Sequence, residues 1–291
     1  MGQAEATLIG MGAMVGAGIF VVTGIAAGAA GPALILVFAL NGVVALHVVK
    51  VPRQLPRSEG REFLDRAEPL FEAAVKVGEK MKTPVYGALW VSSDVQNGVL
   101  EAIAEKRPSL VVLGWRGQTR ARARFFGTTL DPVLLQARTD VLLLRWRDKQ
   151  TKFANVVVGV TASPHAQLGV DIAKALERQL KAKCRYLHVL KRGTPMDGAT
   201  ERVFLGDDAK PEQRIDLEIV QGRTTAAGII EASKEADLRI MGAAREGILN
   251  QLVFGAKTRT IARRARCAVL LAKRRPGPGL SLLRRLFTRQ S

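Results

Sequence analysis

Residues 114–128 read GWRGQTRARARFFGT: a glycine, two residues, a second glycine, nine residues, then a third glycine and a threonine. Glycines let a backbone approach phosphate oxygens closely, and the N–H groups opening a following helix can bind them. The apolar run SLVVL comes just before, and a helical pattern at 129–138 comes after. That context puts the loop at the C-terminal end of a strand, where open α/β sheets hold their ligands. Thr128 and Thr129 add hydroxyl donors. Arg116, Arg120, Arg122 and Arg124 could steer an anion inward, or form a solvated basic loop.

The elements that must position this loop occur twice. ARTDVLLLR at 137–145 returns as ARCAVLLAK at 265–273, an offset of 128 residues. Gly114 matches Gly242 and Gly127 matches Gly255 at the same offset. LHVVK at 46–50 matches LHVLK at 187–191 at a larger offset, so copy one holds about a dozen extra residues. Copy two alternates strand patterns (155–160, 185–191, 215–222, 238–243, 267–273) with helical ones, which predicts a parallel sheet covered on both faces. Copy one shows the same order from Val43 onward, but its first strand and helix are missing. The apolar N-terminal stretch stands in their place. The junction falls inside a repeat unit, as an internal deletion or mis-joining of a longer transporter with two cytoplasmic domains would leave it.

The glycine spacing, the strand order and the repeat together resemble the ATP-binding class of the universal stress protein family, over residues 45–273. The resemblance implies that Gly114, Gly117, Gly127 and Thr128 contact the phosphates and ribose of an adenine nucleotide, ATP or AMP. It places Val49 near the adenine. Two departures matter. The family's acidic residue at the end of strand one has no counterpart in copy one, and Thr161 stands near that position in copy two. Copy two's loop, GAAREGILNQLVFGA, keeps Gly242 and Gly255 but has Arg245 for the middle glycine and Ala256 for the hydroxyl residue. A side chain at 245 obstructs the backbone approach, although Arg245 could itself reach a phosphate. The expectation is a degenerate second site.

Residues 1–49 hold one acid, Glu5, and no lysine or arginine, whereas all 44 basic residues lie from Lys50 onward. From Ala6 to Leu46 the length suits two membrane spans, 7–28 and 33–48, broken at AGPA. The basic flank then places the soluble part in the cytoplasm. GMGAMVGAGIF and GPALILVFAL resemble the first two helices of amino-acid permeases of the amino acid–polyamine–organocation superfamily, cationic branch. By that resemblance Gly16 and Gly18 would bind a substrate carboxylate; otherwise these glycines allow close helix packing. Two spans cannot build a gated cavity, so transport by this chain alone is not expected.

The net charge of +18 suits an anionic partner. Aromatics at 5% and the lack of a recognition motif argue against nucleic acid. Cys184 and Cys267 read as reduced thiols beside strands, which agrees with a cytoplasmic location. His47 and His188 occupy matched strand positions and read as structural, and His165 reads as lying near a helix start. No metal spacing and no general base appear, so no enzyme is expected. The tail LSLLRRLFTRQS has an apolar helical face with arginines around it, fit for a bilayer surface or for packing on the protein.

The expected fold class is α/β: two Rossmann-like parallel-sheet domains, the first incomplete, after a transmembrane hairpin. Boundaries fall at 1–42 (hairpin), 43–150, 151–275 and 276–291 (basic amphipathic tail). The two copies should pack as a pseudo-twofold pair, each burying an exposed terminal strand against the other. The expected function is a membrane-tethered, cytoplasmic, nucleotide-binding module, regulatory to an amino-acid permease, with a homodimer or missing transporter spans as possible partners. The alternatives are a fragment of an amino-acid transporter and a ligand-free dimerisation scaffold.

Overall fold

A computed structural model of the chain describes residues 19–22, 43–51, 64–80, 83–115, 126–127, 129–146, 153–196, 198–205, 214–243, 261–262 and 264–275. The first half contains β1 (Ile19–Val22), β2 (Val43–Lys50), α1 (Leu64–Lys80), β3 (Val85–Ser92), α2 (Val95–Lys106), β4 (Leu110–Gly114), α3 (Leu130–Gln136) and β5 (Asp140–Arg145). The second contains β6 (Asn155–Gly159), α4 (Pro164–Leu180), β7 (Lys183–Lys191), α5 (Gly198–Phe204), β8 (Leu217–Gly222), α6 (Thr225–Ala232), β9 (Leu238–Gly242) and β10 (Ala268–Lys273).

The ten strands among the described residues form one sheet in the order β3-β2-β1-β4-β5-β10-β9-β6-β7-β8. Pairing is parallel within each half, and β5 meets β10 antiparallel, Leu143 opposite Leu271. Read outward from that seam, both halves have the same strand order. The expected pseudo-twofold pairing of terminal strands is therefore present.

The sheet is buried on both faces because its inner strands are apolar at most positions, with the charged residues Asp140, Arg145 and Lys273 at strand ends and Arg239 inside β9. In β5, Leu142 and Leu144 join one core layer while Val141 and Leu143 join the other. Alternate side chains of a strand point to opposite faces, so one apolar run feeds both layers. Both layers cross the seam: Leu142 and Leu144 share one with Leu270 and Ala272, and Val141 and Leu143 share the other with Val269 and Leu271.

Local signals fix the helix ends. The Asp94, Ser163 and Thr224 side chains accept from the backbone N–H three residues on (2.9, 3.1 and 3.1 Å), capping α2, α4 and α6. Arg107 and Lys181 end α2 and α4 in the left-handed region.

The N-terminal stretch departs from expectation. Ile19–Val22 pairs in parallel with β2 on one side and β4 on the other, in the slot that β6 fills in the second half. The first repeat thus does not lack its first strand. The reason is physical: an apolar run buried in a parallel sheet and one buried in lipid carry the same composition. The spans drawn at 7–28 and 33–48 each run into a strand, β1 or β2, so they are not compatible with this sheet. Residues 1–18, 23–42 and the tail 276–291 lie outside the described residues. Among the described residues no helix is long and apolar enough to cross a membrane.

Candidate functional site

In each half the chain leaves the first strand to one side for two strands, then crosses to its other side. The crevice at this switch point lies at the C-terminal ends of β1 and β4 in the first half, and of β6 and β9 in the second. Val22 pairs with Leu113, so β1 ends beside Gly114. Gly114 ends β4 and pairs with Leu144 of β5. Val49 is 4% exposed near the end of β2. Gly127 has a φ of 108°, a conformation that L side chains rarely adopt. Its carbonyl accepts from the N–H of Asp131 at 3.3 Å, so the chain turns into α3 there. Thr129 precedes α3 and its hydroxyl makes no capping bond. Val49, Gly114, Gly127 and Thr129 thus lie at strand ends or at the helix start. Gly117 and Thr128 lie outside the described residues, as do Arg245, Gly255, Gly16 and Gly18.

Sequence reasoning missed the neck of the loop. Trp115 and Phe126, the residues at its two ends, are both buried and meet edge to face with ring centroids 4.9 Å apart. The N–H of Trp115 donates to the Leu144 carbonyl (2.8 Å), and the Arg145 guanidinium lies 6.0 Å from the Trp115 ring centroid. The signal was present as GW…FFG, an aromatic residue beside each outer glycine. Asp131 was also overlooked: in the first turn of α3 its carboxylate accepts from the N–H of Phe126 (3.1 Å). It braces the loop and places a carboxylate beside it.

The second crevice is built differently. A Cβ on Gly242 would lie 2.5 Å from the Ala166 nitrogen and 2.7 Å from the His165 carbonyl carbon. Gly242 is therefore required by the close approach of α4. Thr161, at the expected acidic position, is exposed, and its hydroxyl pairs with that of Ser163 at 3.2 Å. Behind it, Thr200 is fully buried and accepts from the N–H of Ala162 (3.1 Å). His188 Nδ1 lies 2.9 Å from the Val160 carbonyl. His47, its match, has no hydrogen-bond partner at Nδ1, and burial lowers its pKa. The two cysteines are not bonded to each other. Burial, then the nearby Glu177 carboxylate, pushes the Cys184 thiol up to about 12. Among the described residues no group of histidine, cysteine and carboxylate side chains could hold a metal ion.

The universal stress protein family matches residues 29–145 and 152–273. A curated relative, the Na(+)/H(+) antiporter NhaS5 of Synechocystis, is 22% identical over 227 residues, or 76% of this chain. The chain spans 32% of that relative's length. A universal stress protein from Archaeoglobus fulgidus superposes with a TM-score of 0.61 at 16% identity, covering 88% of this chain and 96% of that one. The cytoplasmic domain of a prokaryotic cation chloride cotransporter gives 0.58 at 14% identity, covering 91% and 99%. At these identities the structural likeness concerns the fold.

Proposed function

The chain belongs to the universal stress protein family, and on that premise we propose that it is a regulatory module whose first repeat binds an adenine nucleotide. Proteins of this family are generally non-enzymatic nucleotide-binding regulators. The observation that carries the reading is the loop between β4 and α3. Its outer glycines stand at the crevice, Gly127 adopts a φ reserved for glycine, and the Trp115–Phe126 contact closes its neck. Gly114, Gly117 and Gly127 would let the backbone approach the phosphates, with Thr128 and Thr129 donating hydroxyls and Val49 beside the adenine. ATP and AMP both fit this chemistry, and no metal is needed for it. The second crevice would stay empty. Its glycine is taken up by α4, and Arg245 and Ala256 replace the residues the chemistry needs.

The partner would be a membrane transporter. The antiporter relative carries a matching segment within a much longer chain, and a transporter's cytoplasmic domain shares the fold. On this reading the tandem domains would lie on the cytoplasmic side of that transporter, and the segments 10–20 and 31–40, which resemble permease helices, leave an amino-acid transporter as one choice of parent. A ligand-free scaffold is the second reading. It is favoured by Gly242, whose repeat-matched position is taken up by the packing of α4.

Calorimetric titration of ATP and AMP into the full chain tests the proposal. Gly117→Arg installs the second repeat's obstruction and is expected to abolish binding, while Arg245→Gly leaves affinity nearly unchanged. Binding that survives Gly117→Arg but vanishes in Arg245→Gly would move the site to the second repeat. No binding by the wild-type chain would favour the scaffold.

A further inference from the structure

His165 is the second residue of α4 and is 6% exposed, at the point where that helix presses on Gly242. Its Nδ1 accepts a hydrogen bond from the backbone N–H of Arg274 at 2.9 Å. A ring nitrogen that accepts carries no proton, so the folded chain holds this imidazole neutral, with its proton on Nε2. The Arg274 guanidinium donates to Asp171 of α4 (2.9 Å) and lies 3.4 Å from Asp140. The next N–H, of Arg275, donates to the other oxygen of Asp140 at 2.7 Å. Asp140 opens β5 and so belongs to the first repeat. The end of β10 therefore ties the first repeat to α4 of the second, and neutral His165 is one of the ties.

We propose that His165 is a proton-operated latch on this seam: protonation removes the acceptor for the Arg274 N–H, and with it one of the ties between the end of β10 and α4, and loosens the hold on Asp140. Among the described residues, the charged groups around the His165–Arg274 bond come from three elements. From α4 come the helix N-terminus, which disfavours a cation, and Asp171, which favours one. From the end of β10 come Arg274 and Arg275, which disfavour it. From the first position of β5 comes Asp140, which favours it but is engaged by Arg274 and Arg275. Lys273 is turned away, its Nζ donating to the Ala137 carbonyl at 2.7 Å. The other histidines differ. His188 Nδ1 faces a carbonyl, so it donates and keeps its bond when protonated. His47 has no bond at Nδ1 to lose. The folded state accepts only neutral His165, whereas an unfolded imidazole titrates near about 6.5. The latch's contribution is therefore full above that pH and is lost as pH falls below it. It does not depend on nucleotide binding in the first crevice.

The test uses the full chain as wild type and as His165→Asn, whose amide oxygen can accept from Arg274 without titrating. Side-chain nitrogen NMR at pH 8 reads the tautomer, and amide exchange at Arg274 and Arg275 is followed at pH 7.5 and 5.5. The expected result is the Nε2–H tautomer for His165, with Arg274 losing at least tenfold more protection in wild type than in the variant at pH 5.5. An Nδ1–H tautomer, or parallel loss in both proteins, overturns the proposal. If the variant does not fold, wild type alone decides: Arg274 must open at a higher pH than the amides of β4, and opening together with them overturns the latch.

Discussion

Gly127 and Gly242 both lie in the paired glycine loops, yet they are glycine for different reasons. At Gly127 the backbone itself demands it, with a φ of 108°. Gly127→Ala should cost about 1–2 kcal/mol of stability in urea unfolding and weaken nucleotide binding as well. At Gly242 the demand comes from outside, because α4 occupies the space a Cβ would fill. Gly242→Ala should cost about 1–3 kcal/mol through overpacking and leave nucleotide affinity in the first repeat unchanged. A sequence cannot separate the two, since close approach by phosphate and close approach by a helix both ask for the same missing atom. Cys184 makes a residue-scale prediction of another kind. With its thiol pushed up to about 12, almost none is thiolate at pH 8. Iodoacetamide should label it in urea and hardly at all in the folded chain; rapid native labelling would contradict that environment.

Between elements, the seam is held by more than the β5–β10 ladder. Arg145, 8% exposed, donates to the carbonyls of Ala262, Ala265 (2.7 Å) and Cys267 (3.3 Å) in the segment entering β10. Lys273, 1% exposed, donates to Ala137 at the end of α3. Arg145 matches Lys273 and Ala137 matches Ala265 at the repeat offset, so each repeat satisfies the other's carbonyl with a buried cation. Arg145→Met would remove the donor to three carbonyls and should cost about 2–4 kcal/mol in denaturant unfolding. Among the described residues, Lys273→Met removes the donor to one carbonyl while also removing a buried charge, so its cost should be smaller. Equal effects would mean that the Arg145 bonds add little. The pairing of terminal strands was legible from VLLLR and VLLAK, because an apolar terminal strand cannot stay an open edge. The cations in those strings were not legible. A basic residue ending a strand reads as solvated, and only the partner repeat supplies the carbonyls it serves.

At the scale of the whole molecule, the order of strands and helices from Val43 to Lys273 could be read from hydrophobic periodicity and the repeat, apart from α5 (Gly198–Phe204), which no helical pattern announced. The place of Ile19–Val22 could not, because 41 residues with almost no charge look alike whether sheet or bilayer buries them. In this fold that strand sits third from one edge of ten, hydrogen-bonded on both sides. Its end beside Gly114 also forms one wall of the first crevice. A chain shortened to residues 43–275 should therefore fail twice. The facing edges of β2 and β4 would lose a four-residue ladder each, leaving unpaired backbone groups inside the sheet. The crevice would lose the strand at its switch point. The shortened chain should elute as oligomer or aggregate in size-exclusion chromatography, unfold at lower denaturant than the full chain, and bind ATP at least tenfold more weakly. A monomer with the full chain's midpoint and affinity would mean that β2 and β4 do not need this strand between them, and that the apolar stretch is free to do its work elsewhere.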